Sequence, residues 1–188
     1  IYNFSKPIDT MSVNKSSINI AKKFINFKMN SSKDKRIKII IYSFYIVLID
    51  QISKLSVLNT LGFEKSKPII PNLLNFNLVK NTGAAFSLFS NSTTLLTLIS
   101  LLASFLFITI IFKYTPKSYW NAIGLGYLLG GTIGNGIDRI FRGYVLDFIE
   151  IVPIGFPIFN VADISINIAI LCFLIDIIKT KDHLKIKE

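Results

Sequence analysis

The sequence holds one cysteine, Cys172, and one histidine, His183, among 188 residues. The first excludes a disulfide framework and a thiolate zinc site. The second lies in the polar C-terminal tail, so Ser-His-Asp, Cys-His and paired-histidine metal chemistry are excluded together. Charge is scarce as well: 17% of residues are charged against 51% apolar, and the mean hydropathy is +0.53. A soluble chain of this size cannot bury so much apolar surface, and the composition points to lipid. The formal net charge is +10, yet the basic residues avoid the middle of the chain and leave no stripe to track a phosphate backbone. Nucleic acid is therefore not an expected partner. No metal or other cofactor is expected, and an enzyme of this composition must work with carboxylates, lysines or hydroxyls.

Residues 1–36 are polar and basic, without sustained periodicity or the unbroken apolar core of a secretory signal. They read as a disordered tail. Residues 37–180 read as the membrane domain and 181–188 as a second basic tail. Two uncharged runs, Thr93–Phe112 and Tyr119–Ile137, are each long enough to cross a hydrocarbon core of roughly 30 Å as a helix. Two further runs carry charges inside apolar sequence: Asp50 and Lys54 in the first, Asp163 and Asp176 in the last. Such residues are costly in lipid and face a bundle interior or a watery site. The expectation is an all-α membrane protein, a bundle of four transmembrane helices over about 37–58, 93–113, 119–140 and 160–178.

With four spans both termini share a side, which carries fifteen Lys and Arg residues against five on the other. The positive-inside rule puts both termini in the cytoplasm. Ala122, Gly126, Gly130 and Gly134 recur every four residues, giving the third span a flat face that a neighbouring helix can approach. On the extracytoplasmic side, residues 74–79 and 144–149 alternate in polarity and read as strands of a small β platform.

The chemistry concentrates at the outer ends of the third and fourth spans. Asn135, Asp138 and Arg139 share one helix face, and Asn160 with Asp163 repeats the i, i+3 spacing. Asp147 lies in the second extended segment, so three carboxylates converge near the water boundary. Two carboxylates held close cannot both ionise cheaply; one keeps a proton while the other acts as a base. Such a pair can hydrolyse an amide by activating water. On spacing alone, Asp147 and Asp163 read either as that pair or as members of a buried structural network. Asp138 reads as a cap or an arginine partner, Asp50 and Lys54 as an intrahelical ion pair, and Asp176 as interfacial.

Five blocks occur in order: Asp50-Gln51-Ile52-Ser53-Lys54; Asn81-Thr82-Gly83-Ala84-Ala85-Phe86-Ser87; Gly130-Gly131 with Gly134-Asn135-Gly136-Ile137-Asp138-Arg139; Gly143-Tyr144-Val145-Leu146-Asp147-Phe148; and Phe159-Asn160-Val161-Ala162-Asp163. From about Ile37 to Lys179 the chain resembles the bacterial lipoprotein signal peptidase family, signal peptidase II. The resemblance implies an aspartic endopeptidase of the bacterial inner membrane, active on the extracytoplasmic side. Its substrates would be prolipoproteins with a diacylglyceryl-modified cysteine, its surroundings membrane lipid, its state monomeric. It implies Asp147 and Asp163 as the catalytic pair, with Asn81, Asn135, Asp138, Arg139, Asn160, Ala162, Asp50 and Lys54 supporting the site or the substrate. Phe86, Leu88, Phe89 and Phe148 are candidates for receiving the acyl chains. Gly136 and Ile164 depart from the family pattern, which has a larger apolar residue and a small hydroxyl residue there. The rival class, a small ion-coupled transport or channel subunit, needs polar residues at several depths, whereas the middles of the second to fourth spans are apolar.

Overall fold

The computed structural model describes residues 15–63, 65–83, 92–114, 116 and 118–185. Helix α1 runs Lys15–Thr60, strands β1 (Ser66–Ile70) and β2 (Leu74–Asn81) follow, then α2 (Thr93–Lys113), α3 (Tyr119–Arg142), β3 (Val145–Ile151), a single 3₁₀ turn over Val152–Ile154, and α4 (Val161–Lys185). The chain divides into units 1–34 and 35–188. In the first, residues 15–34 are helical where an irregular tail was expected. The stretch holds no glycine or proline, so nothing in it interrupts backbone hydrogen bonding. The second unit contains α1 from Lys35 onward and every other element.

Among the described residues, three helices are long and apolar enough to cross a membrane: 33–60, 93–113 and 161–180. Their outward faces are apolar; Phe44, Leu102, Phe105, Leu171 and Ile178 are all exposed, which in water would form a patch far beyond what a soluble surface tolerates. Helix α3 differs because glycine replaces aliphatic residues along it. It is the central helix, and its glycines are where its neighbours come close. A Cβ on Gly126 would stand 2.8 Å from Tyr42 Cβ, and one on Gly130 2.7 Å from Ile46 Cβ, both on α1. The expected flat face thus receives α1. A second row faces α4: a Cβ on Gly131 would lie 2.6 Å from the Ala162 carbonyl oxygen, and one on Gly124 2.6 Å from Phe173.

Helix α3 begins at Ser118, whose hydroxyl accepts from Asn121 N at 3.0 Å and donates to Asp176 of α4. It ends at Gly143 in the left-handed region, φ 77°, with the Gly143 N–H on the Arg139 carbonyl at 3.2 Å. That turn feeds β3 directly. The sheet is antiparallel in the order β1-β2-β3. Strand β1, with Pro68 and no polar alternation, gave no strand signal in the sequence. Val57, Leu78, Leu146 and Phe148 form the apolar cluster beneath the sheet, and Phe76 meets Phe148 edge-on at 5.4 Å.

Candidate functional site

Two backbone features bring the acidic residues together. Asp147 pairs with Val79 and Val145 with Asn81 across β2 and β3, so Asn81 and Asp147 are diagonal neighbours on one face of the sheet. Asn81 Nδ2 donates to Asp147 Oδ2 at 2.8 Å, while its own Oδ1 accepts from Gly83 N at 2.9 Å. A bridge between Ile149 and Phe159, with N···O distances of 2.8 and 3.1 Å, then lays the start of α4 against β3. It delivers Asn160 to Asp147.

Asn160 caps α4. Its Oδ1 accepts from Asp163 N at 3.0 Å and Asp163 Oδ2 accepts from Asn160 N at 3.1 Å, a reciprocal cap in which N-cap and third residue satisfy each other's backbone donors. The Asn160 amide nitrogen donates to Asp147 Oδ1 at 2.6 Å and to Asn135 Oδ1 at 3.0 Å, and Asn135 Nδ2 donates to Asp163 Oδ1 at 2.9 Å. Two asparagines therefore join the two aspartates. Burial pushes the Asp147 carboxyl up to about 7, the adjacent Asp163 adds to the rise, and the amides of Asn81 and Asn160 oppose it.

Asp50, Lys54 and Asp138 lie behind this pair, each fully buried. Lys54 Nζ contacts Asp50 Oδ2 at 2.8 Å, Asp138 Oδ2 at 2.9 Å and Asn135 Oδ1 at 3.0 Å. The expected Asp50–Lys54 ion pair is present and is extended by a second acid. Asp138 also pairs with Arg142 and accepts from Leu146 N at 3.2 Å, fixing the end of α3 to β3. Asp50 Oδ1 accepts from Ala162 N at 3.0 Å, tying α1 to α4. Arg139 stands one turn from Asn135 on α3, and its guanidinium donates to the Gly83 carbonyl and Ser100 Oγ, each at 3.4 Å.

A cleft of about 810 Å³ opens onto Asp147 and Asp163. Asn81, Asn135 and Arg139 line it with them, and Ile151, Ile154, Phe156 and Ile158 form an apolar wall. Its proportions, apolar with a few convergent polar groups, are those of a site for a largely hydrophobic ligand. Phe148 is 2% exposed and packed on Phe76, so it belongs to the core and is corrected as an acyl-chain contact. Phe86, Leu88 and Phe89 lie outside the described residues.

The family model for signal peptidase (SPase) II matches residues 42–179, a stretch containing every residue of the cleft and of the buried cluster. The chain belongs to the signal peptidase II family. It is 46% identical over 132 residues to the lipoprotein signal peptidase of Parasynechococcus marenigrum (strain WH8102), covering 70% of this chain and 83% of that one. Identity to the lipoprotein signal peptidase of Synechococcus sp. (strain RCC307) is 45% over 148 residues, with coverages of 78% and 98%. To that of Streptococcus agalactiae serotype Ia it is 36% over 149 residues, with coverages of 79% and 97%. A bacterial membrane enzyme determined by the in meso method superposes with a TM-score of 0.71 at 29% identity, covering 77% of this chain and 90% of that one. Family and apolar helices together make this a multi-pass membrane protein.

Beyond the residues expected from sequence, Gln51 joins the buried cluster: its amide nitrogen donates to Asp50 Oδ2 at 3.1 Å, the Gly134 carbonyl at 3.2 Å and Asp138 Oδ1 at 3.3 Å. Its signal was its place in the first block, directly after Asp50. Ser100 had none, because it is one hydroxyl among several in an apolar helix.

Proposed function

We propose that this protein removes the signal peptide from diacylglyceryl-modified prolipoproteins, as an aspartic endopeptidase whose catalytic residues are Asp147 and Asp163. The observation that carries the reading is the pair of carboxylates joined by Asn135 and Asn160 on a cleft with an apolar wall. One carboxylate takes a proton from a water molecule as its oxygen attacks the scissile carbonyl; the other, protonated, hydrogen-bonds the carbonyl oxygen. No covalent intermediate is required. Asn81 and Asn160 hold Asp147, Asn135 and the α4 cap hold Asp163, and Arg139 presents a cation to the substrate backbone. Asp50, Lys54, Asp138 and Ala162 lock α1, α3 and α4 together behind the pair.

Helix α3 is the remaining span, its glycines enclosed by its neighbours and its charged residues gathered at one end. The termini are cytoplasmic by the distribution of lysine and arginine, which places the sheet and the cleft on the extracytoplasmic side. A scissile bond reaches that depth only if the neighbouring segment is held there. Two acyl chains do this, since each buried methylene contributes about 0.8 kcal/mol. The test compares cleavage by the purified chain of one prolipoprotein with and without its diacylglyceryl group, in matched micelles. Cleavage is expected to require the lipid; equal rates would refute the proposed substrate class.

A further inference from the structure

The two carboxylates of the cleft have unequal surroundings. Asp163 stands in the first turn of α4, where unpaired backbone N–H groups favour an anion. Its Oδ2 takes the Asn160 N–H and its Oδ1 takes the Asn135 amide. Asn135 is itself polarised, because its Oδ1 accepts from Lys54 Nζ at 3.0 Å. The buried Lys54 ammonium has three donors; two meet Asp50 and Asp138, and the third meets Asn135. Asp147 stands on a strand, and among the described residues it accepts from the neutral amides of Asn81 and Asn160.

We propose that Lys54 is a positioning residue which, through the Asn135 amide, holds Asp163 as the ionised general base and leaves the proton of the pair on Asp147. This rests on the reading of Asp147 and Asp163 as catalytic. Among the described residues, the charged groups around the pair are Lys54 and Asp50 from α1, Asp138, Arg139 and Arg142 from α3, Lys80 from β2 at the cleft wall, and Glu150 from β3, which is held by Asn75 and Asn77. Asp50, Lys54, Asp138 and Arg142 sum to zero charge, so their effect on the pair is directional: a lysine N–H pointed at the amide that serves Asp163.

The protons then balance over one turnover. Asp163 takes a proton from water as the water oxygen bonds the carbonyl carbon, and Asp147 gives its proton to the carbonyl oxygen. On collapse of the diol the C–N bond breaks, the departing amine takes the proton from Asp163, and a diol hydroxyl returns one to Asp147.

The test uses the full chain in micelles and reads the acidic limb of kcat/KM against pH. Lys54→Met would strand two buried acids, so the informative variant is the neutral double Asp50→Asn/Lys54→Gln, with Lys54→Arg as the charge-keeping control. The double variant is expected to move the limb upward by about one unit, the low end of what one nearby charge does, and Lys54→Arg to leave it in place. An unmoved limb in a folded, active double variant overturns the inference, as does an equal shift in Lys54→Arg. Should the double variant not fold, infrared difference spectra near pH 6 decide: the protonated-carboxyl stretch is expected to disappear in Asp147→Asn and persist in Asp163→Asn, and the reverse pattern overturns the assignment. Undiminished cleavage by both single Asp→Asn variants would instead remove the catalytic pair itself.

Discussion

Gly134 and Gly136 lie two residues apart in α3 and make opposite demands on a methyl group. A Cβ on Gly134 would stand 2.7 Å from Asp50 Oδ2, 3.2 Å from Asp50 Cγ and 3.4 Å from Ala162 Cβ. Asp50 cannot retreat, since its oxygens are held by Lys54 at 2.8 Å, Ala162 N at 3.0 Å and Gln51 at 3.1 Å. A Cβ on Gly136 would meet Ser100 Cβ at 3.5 Å, an ordinary contact. Replacing either glycine by alanine gains about 1 kcal/mol of helix propensity, and this gain cancels between them. What separates the two variants is the overpacking at Gly134, about 1–3 kcal/mol, or roughly 2–12 °C for a chain of this size. Gly136→Ala is expected to melt slightly above the parent in detergent and to keep cleaving. Gly134→Ala is expected to melt below Gly136→Ala and to lose activity, because the displaced Asp50 carries Lys54 and Ala162 with it. Equal melting temperatures and equal rates would refute the close approach of α1 to α3.

Asn160→Asp keeps an acceptor for the α4 cap but removes the amide that serves Asp147 and Asn135; helix content should survive, by circular dichroism, while cleavage falls by at least tenfold. Asp138→Asn breaks a buried pair with Lys54, a loss of about 3–5 kcal/mol, and should lower the melting temperature while any residual activity keeps its two-limbed pH profile. A profile reduced to one limb would move Asp138 into the catalytic pair. Asp147, raised to about 7 in the folded chain against an ordinary 3.8, binds its proton more tightly folded than unfolded, so its contribution to stability is present at low pH and is lost as pH rises from about 4 through 7. Melting temperatures from pH 5 to 8 should therefore fall in the parent and fall less in Asp147→Asn.

The residues of the site were legible where chemistry is written in local spacing. The pairs Asp50–Lys54 and Asn160–Asp163 are one helical turn apart, and each meets as spacing requires. The glycine row facing α1 was equally visible, whereas Gly124 and Gly131, which face α4, fall outside a four-residue repeat. Helix α2 and the start of α3 follow their uncharged runs, because apolar length alone sets them. The contacts that define the cleft were not legible. Asn81 and Asp147 meet through strand register, and Asn160 reaches Asp147 through a bridge closed by Ile149 and Phe159; neither depends on any periodic pattern. Asn135 and Arg139, grouped by helical spacing, both line the cleft, but the partners of the Arg139 guanidinium, the Gly83 carbonyl and Ser100 Oγ, come from distant segments that no spacing shows.

The central claim is that Asp147 and Asp163 together cleave the peptide bond, and substituting each by asparagine tests it most directly. Asparagine keeps the shape of the side chain but cannot act as a base or share a proton. The measurement is cleavage of a diacylglyceryl-modified prolipoprotein by Asp147→Asn and Asp163→Asn in micelles, with melting curves recorded on the same samples. Both variants are expected to fold and to show no turnover above background. Near-parental turnover in either folded variant would contradict the account.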